Sequence, residues 1–204
     1  MRLIGMLDSP YVRRVAVSLD LLGLGFEHES VSVFRHYEQF AAINPVVKAP
    51  TLVTDEGVVL MDSSLILEHL DLLAAPERRL LPADPLVRAR CQRIVGLALA
   101  ACEKTVQLVY EHELRPPERR HEPWIERVRG QLGQACRLLE AEIADPDAWL
   151  VAARPMQCDV TAAVAWSFIQ LMRADDAPAA LYPRLAAFTR RAEALAEFVG
   201  RPML

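Results

Sequence analysis

The chain has 204 residues, of which 52% are hydrophobic and 25% charged, and its formal net charge is −4. These values are typical of a compact protein with one large domain or two small ones. The arginines are scattered among carboxylates, so we expect no nucleic-acid partner. The most apolar runs, residues 94–102 and 160–172, are too short to span a bilayer, and the N-terminus shows no signal segment, so we expect no membrane association.

The spacing of the cysteines and histidines argues against disulfide and metal chemistry. The four cysteines show neither CxxC spacing nor the density of a secreted disulfide scaffold. We therefore expect a reducing cytoplasm as the location, with each thiol buried on a helix as a small apolar side chain. The five histidines lack a ligand spacing such as HxxxH, so no metal site is expected.

The first third of the chain alternates between strand and helix patterns. Apolar residues on one face predict a helix that begins at Pro10 and is ended by Gly23. The turn Asp55-Glu56-Gly57 between two short apolar runs indicates a hairpin. The predicted order is β-α-β-(α)-β-β-α, which gives a mixed sheet flanked by helices. The predicted strands are residues 2–7, 26–31, 51–54 and 58–61, and the predicted helices are 10–22, 37–43 and 63–73.

No strand pattern remains beyond Pro85. Residues 157–172 are almost uniformly apolar and are expected to form the central helix of a bundle. Residues 74–84 contain two prolines and a charged run, which is typical of a linker. We therefore predict an α/β domain over 1–76 and an all-α domain over 85–204. Its predicted helices are 85–114, 123–143, 157–172, 183–191 and 192–199.

Ser9 lies where the first strand meets the first helix, in the stretch "MLDSPYVRRV". Serine before a proline at the first helical position is a common helix N-cap, so Ser9 has a structural interpretation. The alternative is that its hydroxyl faces the negative sulfur or oxygen of a ligand. The arginines that follow, Arg13 and Arg14, are expected to form a solvated face of the helix.

Two further stretches of the first domain suit a peptide-like ligand. In "NPVVKAP", a proline just before a strand could hold a cis peptide and leave the Ala49 backbone able to pair with an extended ligand. Asp62 and Ser63 stand between a strand and a helix, where N–H groups and a hydroxyl can bind a carboxylate while Asp62 binds an ammonium. The plain alternative is that Asp62 and Ser63 only cap the helix.

These stretches together resemble the cytosolic glutathione transferases. "SPYVRRV" on the first helix, "NPVVKAP" before the hairpin and "DSSLILEHL" after it occur in that family's order, and the likeness covers nearly the whole chain. The resemblance implies a thioredoxin-like N-terminal domain followed by a C-terminal helical bundle. It is closest to the serine-type, bacterial-like members, in which a serine near the start of the first helix faces the glutathione sulfur.

The resemblance also implies a set of site residues. Ser9 matches the catalytic serine, and Pro50 the cis-proline. The implied glutathione contacts are Lys48 for the glycyl carboxylate, the residue Ala49 before the cis-proline, Asp62 for the γ-glutamyl ammonium and Ser63 for the γ-glutamyl carboxylate. The implied activity is the transfer of glutathione, as co-substrate, to a small and largely apolar electrophile. The electrophile would bind on the side of the helical domain, and no metal is implied. The implied biological role is detoxification.

The sequence departs from the family pattern at two places. Ala49 is smaller than the valine or isoleucine that often precedes the cis-proline, which leaves its backbone able to bind but changes the packing below. In "RPMQCD", Met156 stands where a capping serine or threonine is usual, while Asp159 is kept. Asp159 can still accept the Met156 N–H, so we expect it to be structural, with half of a capping box missing at a cost of about 1 kcal/mol.

Other functions are open on the same fold. A non-catalytic glutathione-binding or interaction protein is the main alternative, because fold does not fix function. A glutathione-dependent thiol oxidoreductase is disfavoured, because it needs a cysteine where Ser9 stands. Apolar residues on more than one face of helix 85–114 predict a homodimer, as is usual in the family. Three aromatic residues are candidates near the second-substrate pocket, although core packing is the favoured role for each: Tyr110, Trp124 and Trp166.

Overall fold

The computed structural model describes residues 1–203. Its strands are β1 (Arg2–Ile4), β2 (Glu27–Glu29), β3 (Thr51–Val53) and β4 (Val59–Met61). Its helices are α1 (Pro10–Leu22), α2 (Tyr37–Ile43), α3 (Ser63–Leu73), α4 (Pro85–Glu113), α5 (Glu122–Glu142), α6 (Gln157–Arg173), α7 (Pro183–Glu193) and α8 (Ala196–Val199). Short 3-10 helices occupy Pro76–Arg78, Pro117–Arg119 and Ala179–Leu181.

The strands form a mixed sheet in the order β2-β1-β3-β4. β1 and β2 are parallel and are joined through α1, whereas β3 runs antiparallel to both β1 and β4. In the register of this sheet, Leu3 lies opposite Leu52, and both side chains are buried with the inner face of α1. The predicted mixed sheet and its β3–β4 hairpin are therefore confirmed, although each strand is only three residues long.

Gly5 directly follows β1 and lets two other parts of the chain approach it closely. Its φ of +137° lies in a region that favours glycine. A Cβ at this position would stand 2.6 Å from Val12 Cγ2 and 3.2 Å from Ala49 Cβ. The first turn of α1 and the chain entering β3 therefore pack against the same backbone position.

The backbone contacts divide the chain into two units. Unit 1 contains residues 1–81 together with 195–203, and unit 2 contains Pro82–Ala194. Within unit 2, α4 packs on both α5 and α6, and α6 also packs on α7. Nearly every residue of α6 from Gln157 to Ile169 is buried, as predicted for the central helix.

The C-terminal helix differs from its prediction. Residues 192–199 were expected to complete the helical bundle, but α7 runs on to Glu193 and the short α8 packs against α1 in unit 1. Phe198 on α8 is buried, and the Arg13 guanidinium lies 5.5 Å from the centre of its ring. Unit 1 therefore contains the last residues that the structure describes.

Within residues 1–203, no helix combines the length and hydropathy that crossing a bilayer would require. In the same range, no three His, Cys, Asp or Glu side chains cluster in a way that could hold a metal ion. All four cysteines are unbridged and buried on helices, as expected.

Candidate functional site

Ser9 is the N-cap residue of α1, but its side chain does not cap the helix. Its backbone is extended, with φ −75° and ψ 121°, and its carbonyl accepts the N–H groups of Val12 and Arg13 at 3.1 and 2.9 Å. Its hydroxyl accepts no N–H from the first turn. The capping interpretation of the Ser9 side chain is therefore wrong, while the position at the start of α1 is as predicted.

The Ala49–Pro50 peptide bond is cis, as predicted. Pro50 is buried and Ala49 is partly exposed. Within residues 1–203, the Ala49 N–H and C=O make no hydrogen bond. The Ala49 backbone is therefore available to a ligand beside the Gly5 turn.

A hydrogen-bonded loop presents Lys48 at the surface. The Thr51 hydroxyl donates to the Lys48 carbonyl at 2.8 Å and accepts from Asn44 Nδ2 at 2.8 Å. Asn44 and Thr51 are both buried, so these bonds fix the chain on either side of the exposed Lys48 side chain. The hydrogen bonds therefore fix the backbone of Lys48, while its charged side chain lies at the surface.

Asp62 directly precedes α3 and has a strained backbone conformation. Its φ is +69°, which is uncommon outside glycine and occurs mainly in Asp and Asn among other residues. One carboxylate oxygen, Oδ1, accepts the Ser64 N–H at 2.9 Å, which makes Asp62 the N-cap of α3. The side chain is only partly buried, so the cap interpretation of Asp62 holds without excluding a ligand contact at its exposed part.

Ser63 has a partner that the sequence did not suggest. The Arg14 Nη1 group donates to Ser63 Oγ at 3.1 Å and to Ser64 Oγ at 3.3 Å. Arg14 is 2% exposed and Ser63 is 4% exposed, so the contact with Ser63 is buried. A guanidinium from α1 therefore lies directly beneath the first residue of α3.

The prediction of a solvated face for Arg13 and Arg14 is wrong. Both are 2% exposed, and Arg13 Nε donates to the Arg201 carbonyl at 2.7 Å. A guanidinium can be buried where oxygen acceptors satisfy its N–H groups. The apolar face of α1 did not indicate this burial, because the acceptors of both arginines lie far away in the sequence.

Asp159 is buried at the start of α6. It is 1% exposed, and its Oδ2 accepts the Met156 N–H at 2.9 Å. The other oxygen accepts the Leu150 N–H at 2.8 Å, a contact that the sequence did not indicate. Burial raises the pKa of the Asp159 carboxyl, and the bonds from Leu150 and Met156 only partly oppose that rise.

The three aromatic candidates divide between core and surface. Trp166 is buried and meets Tyr182 edge to face at a ring separation of 5.6 Å, which confirms core packing. Tyr110 and Trp124 are exposed within the chain, so core packing is wrong for these two. Both side chains therefore remain accessible to a ligand or a partner.

The β-α-β-α-β-β-α order, the mixed sheet and the cis-proline before β3 define a thioredoxin-like domain, followed by a helical region. The family model described as glutathione S-transferase, N-terminal domain, matches residues 3–78. The uncharacterized GST-like protein YibF of Escherichia coli strain K12 is 32% identical over 146 residues, 71% of this chain and 71% of that protein. The chain therefore belongs to the glutathione S-transferase family.

Solved structures share this architecture over almost the whole chain. A glutathione S-transferase from Methylobacterium radiotolerans, in complex with glutathione sulfonate, is 28% identical with a TM-score of 0.91, covering 98% of this chain and 93% of that chain. A family member from Pseudomonas fluorescens Pf-5 with bound glutathione is also 28% identical, with a TM-score of 0.85 and coverage of 98% and 97%. These structural relatives thus contain glutathione or its sulfonate.

Proposed function

We propose that this protein is a glutathione transferase, which conjugates the thiolate of glutathione to small, largely apolar electrophiles. The Ser9 side chain carries this proposal. It stands at the start of α1, where a serine normally accepts an N–H of the first turn, yet it makes no such bond. Its hydroxyl is therefore available to donate a hydrogen bond to a sulfur anion bound there.

The free energy needed to stabilise the thiolate matches what Ser9 and the N-terminus of α1 can supply. A free cysteine thiol has a pKa of about 8.5, so only a small fraction is thiolate at neutral pH. Lowering that pKa by two units requires about 2.7 kcal/mol of preferential thiolate stabilisation. One charge-assisted hydrogen bond from Ser9 and the positive end of the α1 dipole together supply about this amount.

The rest of the tripeptide has suitable partners in unit 1. We assign the glycyl carboxylate to Lys48, and the cysteinyl backbone to the Ala49 N–H and C=O, which have no partner within residues 1–203. We assign the γ-glutamyl ammonium to Asp62 and the γ-glutamyl carboxylate to Ser63. The division into a glutathione-binding domain at 1–76 and a second-substrate domain at 85–204 belongs to the same proposal.

A thiol oxidoreductase is a weaker alternative. Such an enzyme needs a reactive cysteine at the start of α1, and the first cysteine of the sequence is Cys91. Burial raises the pKa of Cys136 to about 12, which makes that thiol unreactive. The role of Ser9 as a hydrogen-bond donor to the glutathione thiolate is therefore favoured.

We also propose that the protein is a cytoplasmic homodimer. Strand β4 lies at the edge of the sheet, and Val59 and Met61 on it are exposed. On α3, Leu65 is 61% exposed and Leu72 is 69% exposed. Because α3 packs against β4, we group these exposed apolar side chains as the β4–α3 surface, and we propose that a second copy of this chain covers it.

Two measurements on the purified protein test the proposed activity. Isothermal titration calorimetry with glutathione measures binding, and a chromogenic aryl halide measures conjugation. We expect micromolar to millimolar binding and turnover that depends on both substrates. Binding without turnover of any electrophile in a panel would support the non-catalytic alternative, and absence of binding would overturn the proposal.

A further inference from the structure

A cavity of about 610 Å³ lies along α6 and α7 in unit 2. Its walls include the buried indole of Trp166 and three alanines, whose small side chains leave the space open: Ala179, Ala186 and Ala194. The volume falls within the range of pockets that hold small molecules. Among residues 1–203, none of those assigned to glutathione lines this cavity, so it is a second candidate binding site.

Two opposite charges line the cavity one helical turn apart on α7. Arg190 and Glu193 are three residues apart, a spacing at which opposite charges commonly pair. Here Glu193 Oε1 accepts the Ser167 hydroxyl of α6, and Arg190 has no hydrogen bond or ion pair with the described residues. A carboxylate has about four acceptor sites, so the bond from Ser167 leaves Glu193 able to accept from a ligand as well. This turn of α7 is therefore complementary to a ligand that carries both charges close together.

Thr189 adds a hydroxyl group that lacks a partner. It lines the same cavity and is 5% exposed, and its Oγ1 makes no hydrogen bond within residues 1–203. Buried polar atoms are ordinarily hydrogen-bonded, because leaving one unpaired destabilises the fold. Thr189 directly precedes Arg190, and rotation about its Cα–Cβ bond turns the hydroxyl toward a ligand. The hydroxyl and the guanidinium together suit an anionic group.

The α6 side of the cavity is held in place by contacts within unit 2. Trp166 meets Tyr182 edge to face at a ring separation of 5.6 Å, and Gln170 Nε2 donates to the Ala177 carbonyl at 2.9 Å. Side chains that are already ordered lose little conformational entropy when a ligand binds. This wall is therefore prepared to receive an apolar group against Trp166.

We propose that this cavity binds a free α-amino acid with a large apolar side chain. Glu193 accepts from its ammonium group, and Arg190 and Thr189 donate to its carboxylate. The apolar side chain lies against Trp166 and the alanines. An α-amino acid carries both charges on one carbon atom, which matches two opposite charges at neighbouring positions of a helix. A simple organic acid would bring an anion to Glu193, and a simple amine would bring a cation to Arg190. The site goes beyond the proposed transferase and does not depend on it.

Ligand-observed NMR on the purified protein tests the site with L-phenylalanine and two analogues. 2-Phenylethylamine lacks only the carboxylate, and 3-phenylpropanoate lacks only the ammonium. We expect L-phenylalanine to bind in the micromolar to low millimolar range. Each analogue should bind about tenfold more weakly, the size of one charge-assisted hydrogen bond. Glycine, which lacks the apolar side chain, should also bind at least about tenfold more weakly.

Two charge variants test the two ends of the amino acid separately. Glu193→Gln should raise the Kd for L-phenylalanine about tenfold without weakening 3-phenylpropanoate, which has no ammonium. Arg190→Met should raise the Kd for L-phenylalanine about three- to fivefold, because the guanidinium is exposed, without weakening 2-phenylethylamine. Glu126→Gln and Arg127→Met, at exposed charges of α5 outside the cavity, are the matched controls and should leave the Kd within about twofold of wild type.

Two further variants test the hydroxyl and the space itself. Thr189→Val keeps the shape of the side chain but removes its hydroxyl, so the Kd for L-phenylalanine should rise about three- to tenfold. The Tm should not fall, because the hydroxyl has no partner within residues 1–203 to lose. Ala194→Trp fills the cavity from an exposed position and should abolish binding of L-phenylalanine while leaving the Tm nearly unchanged.

Four outcomes would overturn the site, whatever the result for glutathione transfer. The first is a wild-type Kd for L-phenylalanine weaker than about 10 mM. The second is binding that survives Ala194→Trp. The third is equal loss of all three probes in Glu193→Gln and Arg190→Met, which would show a general effect on the structure. The fourth is displacement of L-phenylalanine by saturating glutathione, which would place the amino acid at the glutathione site instead.

Discussion

The Arg201 guanidinium pairs with the Asp20 carboxylate at two points, with 2.7 Å between Nε and Oδ2 and 3.0 Å between Nη2 and Oδ1. It also lies over the Phe26 ring, 4.5 Å from the ring centroid. The hydrogen bond to Asp20 holds the pKa of Arg201 above its ordinary value. Because Asp20 belongs to the last turn of α1, this pair joins residues of unit 1 that are 181 positions apart in the sequence.

We expect Arg201→Met to lower the free energy of unfolding by about 1–2 kcal/mol, the sum of a partly exposed ion pair and a cation–π contact. The Kd for glutathione should not change, because Arg201 contacts neither Ser9 nor α3 among the described contacts. Urea denaturation measures the loss, and Arg190→Met, at an exposed arginine of α7, is the control, with less than about 0.5 kcal/mol expected. Equal stabilities of the two variants would contradict this role of the pair.

Asp159 should stabilise the fold mainly because its oxygens accept hydrogen bonds, and less because of its charge. Asp159→Ala leaves the buried N–H groups of Leu150 and Met156 without acceptors, which should cost about 2–4 kcal/mol of unfolding free energy. Asp159→Asn keeps one acceptor oxygen, and burial already raises the pKa of this carboxyl. The loss of unfolding free energy in Asp159→Asn should therefore be about half the loss in Asp159→Ala. Chemical denaturation of the two variants measures this order, and a reversed order would show that the charge itself stabilises the fold.

Asp176 should make the stability of the protein depend on pH in the acid range. Burial raises its pKa, but the stronger combined effect of hydrogen bonds and charge from Arg129 and Arg173 leaves that pKa below the ordinary value. A carboxyl with a lowered folded pKa stabilises the protein above its unfolded pKa of about 3.9, and this contribution is lost as the pH falls through the folded pKa. Between about pH 5 and 3, Asp176→Asn should therefore lose less stability than wild type. Parallel curves of unfolding free energy against pH would contradict this expectation.

The sequence predicted the local elements of the fold well, because they depend on nearby residues. Hydrophobic periodicity located α1 and α3, and the turn at 55–57 located the hairpin. The cis peptide before β3 and the Met156 bond of Asp159 were also predictable, because each involves residues adjacent or three apart.

The arginines could not be placed in the same way. Arg14 meets Ser63 across 49 residues, and Arg13 meets Arg201 across 188. An arginine is ordinarily solvated, and only the folded chain shows that these guanidinium groups have buried oxygen acceptors. The position of α8 on α1 depends on the same contacts, so its departure from the predicted bundle has the same cause.

The β4–α3 surface predicts the oligomeric state. We expect light scattering at micromolar concentration to give a mass near twice the 22.8 kDa of the chain. Leu65→Glu with Leu72→Glu should shift that mass toward the monomer, because two charges would be buried without partners at the interface. Leu181→Glu, at a comparably exposed leucine of unit 2, is the control and should leave the dimer intact. A wild-type mass equal to that of one chain would refute the dimer.

Ser9→Ala separates catalysis from helix capping. A capping serine would cost about 1 kcal/mol of stability on replacement and leave the conjugation rate nearly intact. Because the Ser9 hydroxyl makes no cap bond, we expect the stability to change by less than about 0.5 kcal/mol. Loss of its hydrogen bond to the thiolate should raise the pKa of the bound thiol and shift the pH–rate profile upward. The value of kcat/KM at neutral pH should fall roughly ten- to several-hundredfold.

Ultraviolet titration of the bound thiolate measures the predicted pKa shift directly in wild type and Ser9→Ala. The Kd for glutathione should change much less than kcat/KM, because Lys48, Ala49, Asp62 and Ser63 are assigned most of the tripeptide. Ser9→Thr keeps a hydroxyl and is the matched control, which should retain more activity than Ser9→Ala at unchanged stability. If the titrations of wild type and Ser9→Ala coincide while the rate still falls, Ser9 acts on the electrophile. If both the titrations and the rates coincide, Ser9 has no role in the chemistry, and another donor must stabilise the sulfur.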